Sequence, residues 1–190
     1  MRYLYQPPPL PRRRHTRLYA LLAILGVLVI VALAVDIPFV RPILQQYPAT
    51  LRTPDSVVGL PRLKSSQLQG LSDRLRAGVG HGGDALVAFY GPVDTPGNGV
   101  AVVARTGFNA HPGSLTRWLA SAGVRDVAQV NPGTMGGYVA CGQADAMMGP
   151  VATCAWSDYG SLGVVAGANR STDDTAALLR TIRPLILHRP

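Results

Sequence analysis

An uncharged apolar run near the N-terminus constrains this chain more than any other feature. It extends from Leu18 to Val35 and contains neither a charged residue nor a proline. At the helical rise of about 1.5 Å per residue, eighteen residues span roughly 27 Å, close to the thickness of the hydrocarbon core of a bilayer. Because a lone segment in lipid must satisfy its backbone polar groups internally, the run predicts a single transmembrane α-helix. A buried helix of a globular domain is rarely apolar on every face, which makes that alternative weaker.

Basic residues flank this run mainly on one side, which predicts its orientation. Five arginines and no acidic residue precede it, whereas Asp36 and Arg41 follow it. Cytoplasmic flanks are enriched in positive charge, so we expect the N-terminus inside, the C-terminal domain outside the cell membrane, and the lipid bilayer as a partner. The residues expected to determine this topology are Arg12, Arg13, Arg14 and Arg17.

A cleaved secretory signal is the alternative interpretation of the same segment. Ala32-Leu33-Ala34 resembles a signal-peptidase site, with cleavage after Ala34. The apolar run is longer than the usual core of about 7–15 residues in a signal peptide, which favours the uncleaved anchor. Both interpretations place the chain from about Asp36 onward outside the cytoplasm.

The distribution of prolines divides the remaining chain. Prolines at positions 7, 8, 9 and 11 favour an extended cytoplasmic tail over residues 1–17. Further prolines follow the apolar run and would interrupt a helix, which predicts a stalk. The expected order is therefore the tail at 1–17, the transmembrane helix at 18–35, the stalk at 36–52 and an extracytoplasmic α+β domain at 53–190.

The periodicity of the domain predicts helices and antiparallel strands. Leu68, Leu71 and Leu75 share one face of a helix over 65–77, and Leu115, Trp118 and Leu119 form the buried face of a second helix, which Gly123 ends. Ser171 and Asp174 resemble a capping box that begins a last helix, which Pro184 kinks or stops. The predicted strands lie at 85–90, 100–104, 126–130, 137–141, 151–157 and 162–166. Because the strands follow in hairpins, we expect an antiparallel sheet covered by helices on one face.

The residues that usually carry catalysis are sparse in this domain. His81 and His111 are its only histidines away from the C-terminal end, the chain contains no glutamate, and no recognised hydrolase or metalloprotease motif occurs. The glycine-rich stretch at 78–83 matches a dinucleotide-binding pattern, but it follows a predicted helix and precedes a strand, the reverse of what that motif requires. We therefore predict no catalytic residue, no cofactor and no metal.

The two cysteines, Cys141 and Cys154, both lie in the predicted extracytoplasmic part. An oxidising compartment would pair them. A zinc site would need two further ligands, and no histidine lies nearby. A disulfide is favoured over a metal site or free thiols.

The positive charge does not predict nucleic-acid binding. Of the net charge of +8, the five arginines of the tail account for most. The part after the apolar run shows no basic stripe interleaved with aromatic residues, which is the pattern that tracks a phosphate backbone.

Several short motifs resemble a family of single-pass membrane proteins of actinomycetes. They are Gly136-Gly137 followed by Cys141, the run from Cys154 to Asp158 with Trp156 at its centre, Thr53-Pro54, and Gly59-Leu60. The resemblance implies a proline-rich cytoplasmic tail, one membrane helix and an extracytoplasmic domain in which Cys141 and Cys154 are paired. Members of that family have no settled activity, so the resemblance transfers no catalytic residue.

These observations favour a non-catalytic protein of the bacterial envelope that binds an unidentified partner protein or envelope component. A small-molecule or lipid-binding ectodomain is the first alternative, and an envelope hydrolase is the second. Trp156 is the candidate binding anchor, although an aromatic residue on an alternating strand beside a disulfide is more often part of the core.

Overall fold

The computed structural model describes residues 14–78, 83–92, 96–146 and 149–189. The chain forms two compact units, Met1–Arg41 and Pro42–Pro190. The predicted tail up to residue 13, with Arg12 and Arg13, lies outside the described residues, as does His81.

The first helix, α1, extends from Arg14 to Gln46 and contains the whole apolar run. Within the part of the chain that the structure describes, no helix is both long enough and apolar enough to cross a membrane. The predicted transmembrane helix at 18–35 is therefore wrong. The prediction equated the helix with the uncharged run, whereas α1 begins among the basic residues Arg14 and Arg17 and continues through Asp36 and Arg41.

The residues predicted to form a stalk are also largely helical. Pro38 and Pro42 lie inside α1, which ends only at Gln46. A proline removes one backbone donor and usually disturbs the preceding turn, and this tendency was the reason to expect an irregular segment. The helix tolerates both prolines, and the irregular part of the predicted stalk is confined to the residues around Pro48.

A six-stranded antiparallel sheet forms the centre of the second unit. Its strands are β4 (Ala85–Tyr90), β5 (Val100–Thr106), β6 (Arg125–Val130), β7 (Tyr138–Ala146), β8 (Gly149–Ser157) and β9 (Ser161–Ala168). Their spatial order is β4-β5-β9-β8-β7-β6. Two small two-stranded sheets accompany it, formed by β1 (Thr50–Leu51) with β10 (Leu187–His188) and by β2 (Ser56–Val57) with β3 (Leu60–Pro61).

One side of the large sheet, here called the core face, is covered by the last helix. This helix, α4, extends from Thr172 to Ile186, and the Ser171 hydroxyl accepts a hydrogen bond from the Asp174 backbone N–H, as the capping box predicts. Pro184 lies inside α4 and does not end it. The apolar side of α4 packs on β7, β8 and β9. The buried residues of this layer include Leu179, Ile182, Ile186, Val102, Val139, Trp156 and Val165.

The other side of the sheet, here called the open face, carries two shorter helices. The helix α2 (Ser66–Gly78) contacts the edge strand β4, and α3 (Leu115–Ser121) contacts β6, β7 and β8. Leu115 and Leu119 are buried against Ala140 and Ala155 of β7 and β8. Helices therefore lie on both faces, and the predicted one-sided cover is wrong. The sequence shows that each helix has an apolar side, but nothing local to a helix indicates which face of the sheet it covers.

Trp156 lies fully buried on the core face. Its indole Nε1–H donates to the Ser161 hydroxyl at 3.1 Å. The ring lies on Gly163 of the neighbouring strand, where an added Cβ would be 2.1 Å from an indole carbon. The indole is thus part of the core and offers no surface for a partner.

The two cysteines form a disulfide between neighbouring strands. Cys141 of β7 and Cys154 of β8 are direct cross-strand partners with a Cα–Cα distance of 4.0 Å, and both are buried under α4. The bond closes a loop that consists of the β7–β8 hairpin.

Removal of this disulfide should destabilise the domain. For a loop of this size the chain-entropy estimate is about 3 kcal/mol, which corresponds to a melting temperature about 10 °C lower in a domain of this length. Cys141→Ala, Cys154→Ala and the double variant should lose similar amounts, because each removes the same constraint. Thermal denaturation followed by circular dichroism measures the loss.

Mass spectrometry after alkylation without reductant is the control for this experiment. Recovery of both cysteines in alkylated form from the natively folded protein would contradict the disulfide, whatever the melting temperatures.

Candidate functional site

The middle of the open face carries a groove on the strands β5 and β9. Val103 pairs with Val164 across these strands, and Arg105 pairs with Leu162. Antiparallel partners point to the same side of a sheet, so these four side chains form one surface. The groove has a volume of about 310 Å³, and its lining residues are Val103, Ala104, Arg105, Trp118, Leu162, Gly163 and Val164.

The groove exists because the two helices of the open face cover only the flanks of the sheet. On one flank, Leu68 and Ser72 of α2 line a smaller cavity of about 210 Å³ together with Val87 and Phe89 of β4. On the other flank, α3 has only seven residues and buries its leucines on β7 and β8. Within the part of the chain that the structure describes, no helix covers β5 and β9 on this face, and Val103, Leu162 and Val164 are only half-buried.

Trp118 of α3 forms one wall of the groove. Leu115 and Leu119 are one helical turn apart and take the positions that face the sheet. Trp118 therefore stands at the flank of that buried side, and 43% of its surface is exposed. The expectation that Trp118 belongs to the buried side of its helix is wrong, because the helix is too short to be enclosed on both flanks.

Among the described residues that line the groove, Arg105 alone carries a charge. It lies near the end of β5 and is exposed. A guanidinium group keeps its positive charge in proteins and presents donors in a planar fork that matches a carboxylate. The groove therefore combines an apolar floor, an indole wall and one cation.

The described residues show no arrangement typical of hydrolysis near the groove. The hydroxyl of Ser114 donates to the backbone carbonyl of His111, not to its imidazole. Among the side chains that the structure describes, no group of three or more His, Cys, Asp or Glu residues is placed to hold a metal ion. The groove itself presents apolar side chains, an indole ring and a guanidinium group.

A second notable site is the buried carboxylate of Asp158, in the turn between β8 and β9. Its Oδ1 accepts from the backbone N–H of Gly160 at 2.8 Å. Its Oδ2 accepts from the hydroxyl of Ser161 at 2.8 Å and from guanidinium groups of Arg183 at 2.6 Å and Arg189 at 2.5 Å. One carboxylate thus receives four donors and contacts two arginines.

The same arginines also fasten the loop before β7. Arg183 donates to the carbonyl of Gly136 at 2.7 Å, and Arg189 donates to the carbonyl of Met135 at 3.1 Å. Arg183 is 1% exposed, and its burial lowers the pKa of its guanidinium, while the carboxylate of Asp158 acts in the opposite direction. The carboxylate therefore stabilises the charged form of the buried Arg183 guanidinium, and the cluster has a structural role.

The candidate site residues predicted from the sequence are not the residues that line the groove. The disulfide Cys141–Cys154 and Trp156 lie on the core face, the opposite side of the sheet. His111 is exposed in the loop before α3. Arg105 and Trp118 were not proposed as site residues. The one local signal for Arg105 is a charged residue in an otherwise apolar strand.

No protein family, no curated protein and no solved structure matches this sequence. The resemblance to the actinomycete membrane proteins thus stays a prediction.

Replacement of Asp158 by asparagine should destabilise the domain strongly. The change removes the negative charge that the two arginines share and leaves buried cations without a counter-ion, a loss of about 3–5 kcal/mol. Urea denaturation measures the free energy of unfolding.

Asp145→Asn is the matched control, because Asp145 forms an ion pair with Arg125 at 2.6 Å on the surface. Such exposed pairs contribute at most about 1 kcal/mol. Equal stability of the Asp158 and Asp145 variants would show that the buried cluster does not hold the domain together.

Proposed function

We propose that this chain is a non-catalytic, extracytoplasmic protein of the bacterial envelope that binds an apolar envelope component in the groove of the open face. The observation that carries the proposal is the uncovered floor of β5 and β9 beside the indole of Trp118. Exposed apolar patches and grooves on proteins commonly mark binding sites. Tryptophan and arginine are enriched among the residues that contribute most to the binding free energy at such sites.

The shape of the groove favours binding over catalysis. Its volume of about 310 Å³ is at the lower end of ligand pockets, and the described residues that line it do not bring together the polar groups that an active site requires. An enzyme would need a nucleophile and a base within hydrogen-bond reach of each other. A binding module needs only the apolar surface and a group that orients the ligand.

The extracytoplasmic location in this proposal is supported by the disulfide. Pairs such as Cys141–Cys154 form and persist in oxidising compartments and are rare in the cytoplasm. The proposal includes neither a membrane-spanning helix nor a nucleic-acid partner. The extracytoplasmic location and the binding by the groove can be tested independently, because neither cysteine is among the described residues that line the groove.

Binding of a neutral apolar dye should test the groove as a site. We expect N-phenyl-1-naphthylamine to bind the full chain with a rise in its fluorescence. Trp118→Ala removes one wall of the groove and should raise the dissociation constant about tenfold, which corresponds to a loss of about 1.4 kcal/mol of binding free energy.

The control variant is Leu185→Ala. Leu185 is 46% exposed, close to the 43% of Trp118, but it lies on α4 on the other side of the sheet. Its replacement should leave dye binding unchanged. Equal affinities of the wild type and the Trp118 variant, with both folded by circular dichroism, would refute the groove as the binding site.

A further inference from the structure

Three large apolar side chains lie exposed at the end of the sheet where β8 turns into β9. Leu44 is 71% exposed, Tyr47 44% and Phe108 59%. The rings of Tyr47 and Phe108 are in edge-to-face contact, with their centroids 6.0 Å apart. The Tyr47 N–H donates to the carbonyl of Ile43, so Tyr47 completes the last turn of α1 and lies on the same side as Leu44, three residues earlier. Leu44, Tyr47 and Phe108, here called the aromatic patch, thus form one apolar surface.

The aromatic patch is held in place by the turn between β8 and β9. The backbone N–H groups on both sides of Phe108 are bonded to this turn: Gly107 donates to the carbonyl of Gly160 at 3.1 Å, and Asn109 donates to the carbonyl of Tyr159 at 3.0 Å. The N–H of Tyr159 in turn donates to the last residue of α1. The fold therefore presents the patch on a fixed support, although exposed apolar surface costs free energy in water unless a partner covers it.

The surroundings of the aromatic patch carry positive charge. The segments that form it, residues 40–48 and 107–111, contain the exposed Arg41 and no acidic residue. In the adjacent turn, the buried carboxylate of Asp158 faces two guanidinium groups, which leaves an excess of one positive charge. The full chain has a net charge of +8. This end of the domain is therefore complementary to a surface that carries negative charge.

We propose that the aromatic patch lies on the surface of an anionic lipid bilayer. Phenylalanine and leucine side chains enter the boundary between headgroups and acyl chains, tyrosine is enriched at that level, and anionic lipids attract arginine. A stable protein interface engages about 20–30 residues on each side, many more than this patch offers. Lipid binding requires only buried apolar area and nearby positive charge. The contact is peripheral and goes beyond the proposed function, because no residue of the patch lines the groove.

A fluorescent label at position 108 tests this contact. Both cysteines of the chain are paired in the disulfide, so Phe108→Cys introduces a single thiol for the dye nitrobenzoxadiazole. The labelled full chain is mixed with vesicles of phosphatidylcholine and phosphatidylglycerol. We expect the emission to shift to shorter wavelength and to be quenched by nitroxide-labelled phospholipids, because the label enters the headgroup boundary. Vesicles of phosphatidylcholine alone should bind about fivefold more weakly for each basic residue near the surface.

The control is the same label on Ala146→Cys. Ala146 is also exposed, but it lies at the far end of the β7–β8 hairpin, roughly 27 Å along β7 from Tyr138. Its emission and quenching should change little when vesicles are added. In a chain labelled at position 108, the further changes Leu44→Ser and Tyr47→Ser remove the rest of the patch and should reduce the quenching, with folding checked by circular dichroism.

Each other outcome overturns the inference. An unchanged emission at position 108, equal quenching at positions 108 and 146, or quenching that survives the Leu44 and Tyr47 changes would show that the patch does not contact lipid. Equal binding to both kinds of vesicle would refute the anionic surface. A shift that appears without vesicles and grows with protein concentration would show that a second copy of the chain covers the patch. None of these results affects binding of N-phenyl-1-naphthylamine to the groove, which is measured without vesicles.

Discussion

The carboxylate of Asp158 is the interaction on which the second unit depends. It joins the turn between β8 and β9 to α4 through Arg183 and to the segment after β10 through Arg189. The same turn also contacts Gln46, the last residue of α1: the Tyr159 N–H donates a hydrogen bond to the side-chain oxygen of Gln46. Segments distant in sequence thus meet at this turn, and α4 and the segment after β10 share its one buried carboxylate, so a change in one of these two segments affects the other.

The two faces of the sheet have different roles because they are covered to different extents. The fifteen-residue helix α4 seals the core face over a continuous apolar layer. The open face is sealed only where the seven-residue α3 lies on β7 and β8 and where α2 approaches β4. The larger buried apolar layer therefore lies on one side of the sheet, and among the described residues the other side is covered only in part.

Signals that act over a few residues were readable in the sequence. Two short apolar runs joined by a turn predicted β4 and β5 as an antiparallel pair, Ser171 and Asp174 predicted the start of α4, and the cysteines predicted their disulfide. The transmembrane helix and the one-sided cover were wrong, since both depend on where a helix ends or packs. Asp158 was interpreted only as a turn residue. Its partners Arg183 and Arg189 are separated from it by 25 and 31 positions, and no local pattern connects them. The groove depends on the register of β5 and β9 and on the short length of α3. Its only local signal in the sequence is therefore Arg105, a charged residue in an otherwise apolar strand.

The contact between Gly163 and Trp156 determines how the floor of the groove responds to a ligand. Gly163 lines the groove from one side of β9, while the indole of Trp156 lies against it from the core side. The floor is therefore supported from behind by the largest side chain of the core, which cannot move without breaking its hydrogen bond to Ser161. A rigid, preformed surface of this kind requires no rearrangement before a ligand can enter. For a ligand of the proposed site, the rate of association would then be set by how often the ligand meets the groove in a suitable orientation, and differences between ligands would be expressed in how long they stay bound.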